Sequence, residues 1–217
     1  DIAFFGGLIN YAIQNNYIQW EYVQNYTNAP LLVVEGYSFD PATGKFSDYQ
    51  EGKTMTEAYG KKPTWMVKYK DQEKKTGALR MPLIDVEDMV DFRGKPTARD
   101  PKKPKETKVN EDHPLYPQSV FAKLKEHYSR YTPEMVEKVC GIPRDKFIEI
   151  AETYCGITCR PERSGNLMYA MGLTQHSVGV ENIRTFSMLQ LLLGNTGMPG
   201  GGINAMRGES NVQGSTD

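Results

Sequence analysis

The sequence predicts an α/β fold from three features. Apolar stripes at helical spacing lie near both ends, short apolar segments of strand length lie between them, and polar or glycine-rich loops follow those segments directly. Ligands of α/β domains bind at the carboxyl ends of strands, so function is expected in such loops.

Residues 2–15 read as a helix, because Phe5, Leu8, Ile9, Ala12 and Ile13 recur three and four apart and form one apolar stripe. Asp1 stands where a cap is needed, and Asn15 with Asn16 supplies a stop. Residues 20–26 read as a second, shorter helix, and the β-branched, apolar residues 31–34 as a short strand. From Glu35 to about Pro117 the periodicity fades, and Gly, Pro, Lys and Tyr punctuate short pieces such as residues 64–69. The basic, proline-containing piece from Gly94-Lys95-Pro96 to Lys108 has no face to bury. It reads either as a solvated surface excursion or as an insertion that wraps a partner.

Helical order returns at Gln118, with Val120, Phe121, Leu124 and Tyr128 on one face. Thr132-Pro133-Glu134 supplies a cap, a proline at the first helical position and an early acid, and Gly141 is a stop. Pro143 opens a helix with the stripe Phe147, Ile150, Ala151 and Tyr154. Residues 167–171 read as a buried strand and residues 172–179 as a polar turn. Residues 180–193 read as a strongly apolar helix closed by Gly194, and a glycine-rich coil is expected from there to the end.

Composition excludes several classes. The formal net charge is −1, so no global field favours nucleic acid or an anionic membrane. Runs such as 31–34 and 191–193 are far too short to span a bilayer. Three cysteines, Cys140, Cys155 and Cys159, leave an odd thiol; Cys155 and Cys159 are four apart, with no second pair and no nearby His at ligand spacing. They are expected to be buried or half-buried free thiols, and no residue is assigned to a metal. The chain opens at Asp1 with no Met, basic region or apolar leader, which is expected of a processed or excised chain.

Two segments carry candidate chemistry. In Tyr169-Ala170-Met171-Gly172-Leu173-Thr174-Gln175-His176-Ser177 a strand ends in glycine and polar groups follow. Gly172 permits close approach of a ligand to the backbone. Thr174 and Gln175 both donate and accept, as the edge of a heterocycle requires. The same run also reads as a polar connection with a helix cap, and His176 as a capping residue. The second segment, Gly194-Asn195-Thr196-Gly197-Met198-Pro199-Gly200-Gly201-Gly202, matches neither the phosphate-binding loop nor the dinucleotide fingerprint. It reads as a flexible linker or as a loop bringing N–H groups against an anion or a flat ring. Arg207 lies between Met206 and Gly208, with Asn211 and Gln213 beyond, and its guanidinium is a fork suited to gripping a carboxylate.

Residues 169–179, 182–195 and 206–217 together resemble the catalytic subunit of formate dehydrogenases, enzymes that hold two molybdopterin guanine dinucleotides around molybdenum or tungsten. The opening Asp1-Ile2-Ala3 and the Tyr131-Thr132-Pro133-Glu134 helix start are similar to segments of the same family. The resemblance implies a Rossmann-like cofactor-binding portion of a molybdopterin oxidoreductase with a long irregular insertion. Residues 1–34 would be the helical start of that domain, 35–117 the insertion and a candidate subunit contact, and 118–217 the remainder, ending in the cofactor and substrate loop.

Arg207 matches the arginine thought to orient formate beside the metal; Met171, Gly172, Thr174 and Gln175 match the loop holding one pterin. Asn211 and Gln213 match polar residues near the cofactor, and Asp1 a position near the guanine end. Glu209 departs from the His or Gln of related enzymes, and its role stays open. The family's cysteine cluster for a four-iron centre and its selenocysteine or cysteine metal ligand have no counterpart at Cys140, Cys155 or Cys159. The resemblance therefore implies an internal portion of a larger subunit, inactive alone. Its iron–sulfur cluster would lie outside this chain, and the subunit would be paired with an iron–sulfur electron-transfer subunit and exported to the periplasm by a twin-arginine signal, a cytoplasmic location being the alternative. An oxyanion reductase of the same family, acting on nitrate for example, and a non-catalytic interaction module are the alternatives.

Overall fold

A computed structural model describes residues 1–33, 37–40, 42–43, 45–46, 80–84, 109–160 and 162–206. Helices α1 (Ile2–Gln14) and α2 (Trp20–Tyr26) open the chain, and a small antiparallel pair follows, β1 (Phe39–Asp40) with β2 (Lys45–Phe46). Then come α3 (Val120–Tyr128), α4 (Pro133–Cys140) and α5 (Arg144–Thr158). The last part runs β3 (Asn166–Tyr169), the single turn α6 (Met171–Thr174), α7 (Gly179–Leu192) and β4 (Gly202–Ala205). Mixed helix and strand with a small parallel pair, β3 beside β4, is compatible with the α/β class.

Helix α1 is the centre of the core. The predicted stripe is buried at Leu8, Ile9, Ala12 and Ile13, and Ala3, Gly6, Gly7 and Asn10 are buried as well. It packs against α3, α4, α5 and α7. Val136 of α4 and Phe147, Ala151 and Cys155 of α5 meet it, each fully buried. Burying one side chain of the size of Phe147 stabilises by about 1.5–3 kcal/mol. Space between α1 and its neighbours is set by glycine: a Cβ on Gly7 would stand 2.5 Å from Val136 Cγ2 and 3.0 Å from Phe147 Cζ. Asn15 caps the carboxyl end, and Asn16 turns the chain in the left-handed region at φ 55°. Tyr11 and Tyr17 both donate to Glu152, at 2.7 and 2.5 Å, tying α1 and the following turn to α5. Burial first, then the Glu152 carboxylate, pushes the Tyr11 phenol up to about 12.

The helix boundaries follow local chemistry. Thr132 accepts from Met135 N at 3.3 Å and Pro133 is the first residue of α4, while Gly141 ends it at φ 70°. Cys155 and Cys159 are buried and Cys140 is half-buried, as expected of free thiols. Among the described residues no helix is long and apolar enough to cross a membrane.

Several expectations need correction. Of the strand read at residues 31–34, the described residues 31–33 form no ladder; Leu31 and Leu32 make isolated bridges to Arg80 and Ser119. Ile150 is 36% exposed, so the α5 stripe is Phe147, Ala151 and half-buried Tyr154. β3 is not buried: Asn166 and Met168 face outward, and only Leu167 and Tyr169 are half-buried. Met171 heads a helical turn rather than ending the strand. The glycine-rich tail is not coil throughout, because Gly202–Ala205 pairs with β3. Within the stretch read as an insertion, Met81, Leu83, Ile84 and Tyr116 belong to the core. The basic piece 94–108 lies outside the described residues.

Two predictions arise from this packing. Gly7→Ala overpacks the α1 contact and is expected to cost about 1–3 kcal/mol, measured as faster hydrogen exchange in α1 and α4. Burial, then the nearby Arg130, pushes the His127 imidazole down to about 4. An unfolded His takes a proton near pH 6.5, whereas His127 in the fold refuses it until about pH 4. Stability of the α3 region is therefore full above pH 6.5 and falls as the pH drops towards 4. Intrinsic-rate-corrected exchange in α3 should show that loss, and His127→Phe should flatten it.

Candidate functional site

The site is built on the parallel pair. Asn166, Leu167, Met168 and Tyr169 stand opposite Gly202, Ile203, Asn204 and Ala205, and Met206 N extends the ladder to Tyr169 O at 2.7 Å. One face packs on α7, where the Tyr169 ring lies 5.4 Å from that of Phe186. The other face is open, with Met168 67% and Met206 61% exposed. Because the strands are parallel, their carboxyl ends lie together. The loop from Ala170 and the chain at Met206 thus emerge side by side, where ligand loops of such sheets are found.

Beyond β3 the backbone makes the turn α6 and swings into α7. Gly172 is open: a Cβ built on it meets nothing within 4 Å, so a flat group has room to approach this backbone. His176 Nε2 lies 2.8 Å from Gly172 O, an atom that only accepts, so Nε2 carries the proton. Gln175 Nε2 lies 3.3 Å from Met171 Sδ, and Thr174 is half-buried. Asp1 is at the N-cap of α1 but makes no side-chain cap bond. Its carboxylate turns instead to the loop, 3.7 Å from His176 Nε2 and 3.5 Å from Asn182 Nδ2. Asn182 Nδ2 also donates to Leu173 O at 3.0 Å, so one buried amide joins Asp1 to the strand-end turn.

The structure therefore brings together Asp1, Met171, Gly172, Thr174 and Gln175 around one turn. Arg207, Asn211, Gln213 and Glu209 lie outside the described residues, which stop at Met206. Among the described residues no group of three or more His, Cys, Asp or Glu could hold a metal. What this half of the site offers is hydrogen bonding: a carboxylate, an exposed carboxamide, a hydroxyl and an open backbone.

The sequence reading missed Asn182, Gln190 and Asn195, all buried. The signal was present. Asn182 and Gln190 sit eight apart in α7 and therefore share its buried stripe with Thr185 and Phe186. A polar residue on such a stripe needs partners inside the protein.

Comparison with known proteins adds an independent finding. No family model matches the chain. Over its whole length it is 40% identical to the nitrate-inducible formate dehydrogenase major subunit of Escherichia coli, of which it spans 17%. It is 38% identical over its whole length to the formate dehydrogenase subunit alpha of Megalodesulfovibrio gigas, spanning 18% of that chain. A shorter match, 40% over 97 residues, covers 45% of the chain and 14% of the F420-dependent formate dehydrogenase subunit alpha of Methanocaldococcus jannaschii.

Asn182→Ala should leave Leu173 O without its donor and cost about 1–3 kcal/mol locally. Hydrogen exchange at residues 171–176 should quicken while α4 and α5 keep their protection.

Proposed function

We propose that this chain, homologous along its whole length to one portion of formate dehydrogenase major subunits, forms part of the cofactor and substrate site of such an enzyme. The reaction is the reversible oxidation of formate to carbon dioxide, two electrons and a proton. A molybdenum or tungsten ion held by two molybdopterin guanine dinucleotides supplies the two-electron chemistry when bound. The observation that carries the reading is the side-by-side exit, at one end of the parallel pair, of two of the resembling segments, those that begin at Tyr169 and at Met206.

The residues present suit such a group. The open backbone at Gly172 admits a flat ring, and the exposed Gln175 and half-buried Thr174 offer donors and acceptors to its edge. The Asp1 carboxylate, 39% exposed, accepts paired N–H groups of the kind a guanine carries. Asn211 and Gln213 would add polar contacts from the second segment. Arg207 would hold formate through both carboxylate oxygens, fixing the direction of its C–H bond and excluding water from that side.

In the same reading the β3–β4 pair belongs to a Rossmann-like unit made from residues 1–34 and 118–217, and residues 35–117 are an insertion, anchored in the core by Met81, Leu83, Ile84 and Tyr116, that contacts an iron–sulfur partner subunit. Electrons would leave through iron–sulfur clusters outside this chain. The enzyme would work in the periplasm; one relative, 39% identical, is named for cytochrome c-553.

The parent enzyme carrying Arg207→Ala is expected to lose about 10²-fold or more in kcat/KM for formate, as when a charge-assisted donor leaves an active site. Metal and pterin content should stay near wild type. Unchanged formate turnover would remove Arg207 from the mechanism, and turnover of nitrate in place of formate would replace the substrate assignment.

A further inference from the structure

Gln190 lies in the last turns of α7, fully buried, with every hydrogen-bonding position of its amide in use. Nε2 donates to Gly165 O at 2.9 Å and to Gly202 O at 2.6 Å. Oε1 accepts from the Tyr154 hydroxyl at 2.8 Å and from Asn195 Nδ2 at 2.8 Å. Gly165 precedes β3 and Gly202 begins β4, so one amide clasps the entries of both strands. Asn195, also fully buried, closes the arrangement: Oδ1 accepts from Gly165 N at 3.0 Å and Nδ2 reaches Thr158 Oγ1 at 3.3 Å. The directions agree, since the Thr158 hydroxyl donates to Tyr154 O at 2.8 Å and is left to accept.

A short parallel ladder does not fix its own register. The pair is four residues long, β4 begins in the run Gly200-Gly201-Gly202, and one of its faces is open. Glycine-rich, weakly patterned strands specify register poorly. A slip of two residues would keep each side chain on its face and move the end of β4 by about 6.6 Å. Something outside the ladder must therefore set the alignment, and Gln190 holds both strands at their origin.

We propose that Gln190 is a positioning residue: by fixing the register of β3 and β4 it sets where the chain at Met206 emerges beside the 170–176 turn. Its catalytic consequence rests on the formate-oxidising reading, because Arg207 is the next residue. The structural part rests on the hydrogen bonds alone. Leucine-like replacements strip both strands of their shared donor. A glutamate keeps the volume but has no N–H for either carbonyl.

The test uses the full parent enzyme with Gln190→Met and, separately, Gln190→Glu, beside Arg207→Ala. Hydrogen exchange at Ile203 to Met206 and steady-state formate kinetics per bound metal are measured on each. Both Gln190 variants should lose at least about tenfold protection at the Met206 amide while α1 stays protected. Their kcat/KM per loaded site should fall about 10- to 100-fold, the effect of a small displacement of a positioning group. Wild-type protection at Met206 in both variants would overturn the proposal. So would activity that falls only in proportion to metal content, with kcat and KM per loaded site unchanged while Arg207→Ala is impaired. Lost protection with normal kinetics in all three variants would uphold the register assignment and overturn the formate reading instead.

Discussion

Helix α1 is buried between neighbours on several sides, with Leu8, Ile9 and Ala12 in the core and Gly6 and Gly7 allowing close approach. That arrangement depends on volume: Val136 and Phe147 fill the space that a side chain on Gly7 would need. Close-packed interiors transmit such constraints over the length of an element. The consequence reaches the site, because the residue at the start of α1 is Asp1. Holding α1 against α7 holds the Asp1 carboxylate against Asn182 and His176.

The polar interior of α7 complements this apolar clamp. Asn182, Gln190 and, just beyond the helix, Asn195 are each taken out of water and each bonded. A satisfied buried amide adds modest net stability, but leaving its partners unpaired costs about 1–3 kcal/mol apiece. Such groups therefore specify geometry more than they add stability. Asn182 pins the turn after β3, and Gln190 with Asn195 pins the starts of both strands, so the strand pair is referenced to α7 at each end.

The open face of the pair, with Met168 and Met206 exposed, fits a chain that spans about a sixth of its curated relatives. Parallel sheets are normally covered on both faces.

Much was legible from residue order. The α1 stripe, the Thr132-Pro133 start, the Gly141 stop and the turn rich in Thr, Gln and His all depend on local spacing, and each stands where expected. The family resemblance was legible in the three segments 169–179, 182–195 and 206–217, since motif residues keep their spacing whatever the fold around them. Three things only the tertiary structure decided. Strand pairing of Gly202–Ala205 was hidden because three glycines carry no pattern and the partner lies about 36 residues away in sequence. The joining of Asp1 to the turn at 171–176 was hidden because contacts across the chain leave no trace in local periodicity. The buried roles of Gln190 and Asn195 were hidden because an amide is read as a surface group until its partners are known, and those partners come from three separate stretches of chain: α5, Gly165 and Gly202.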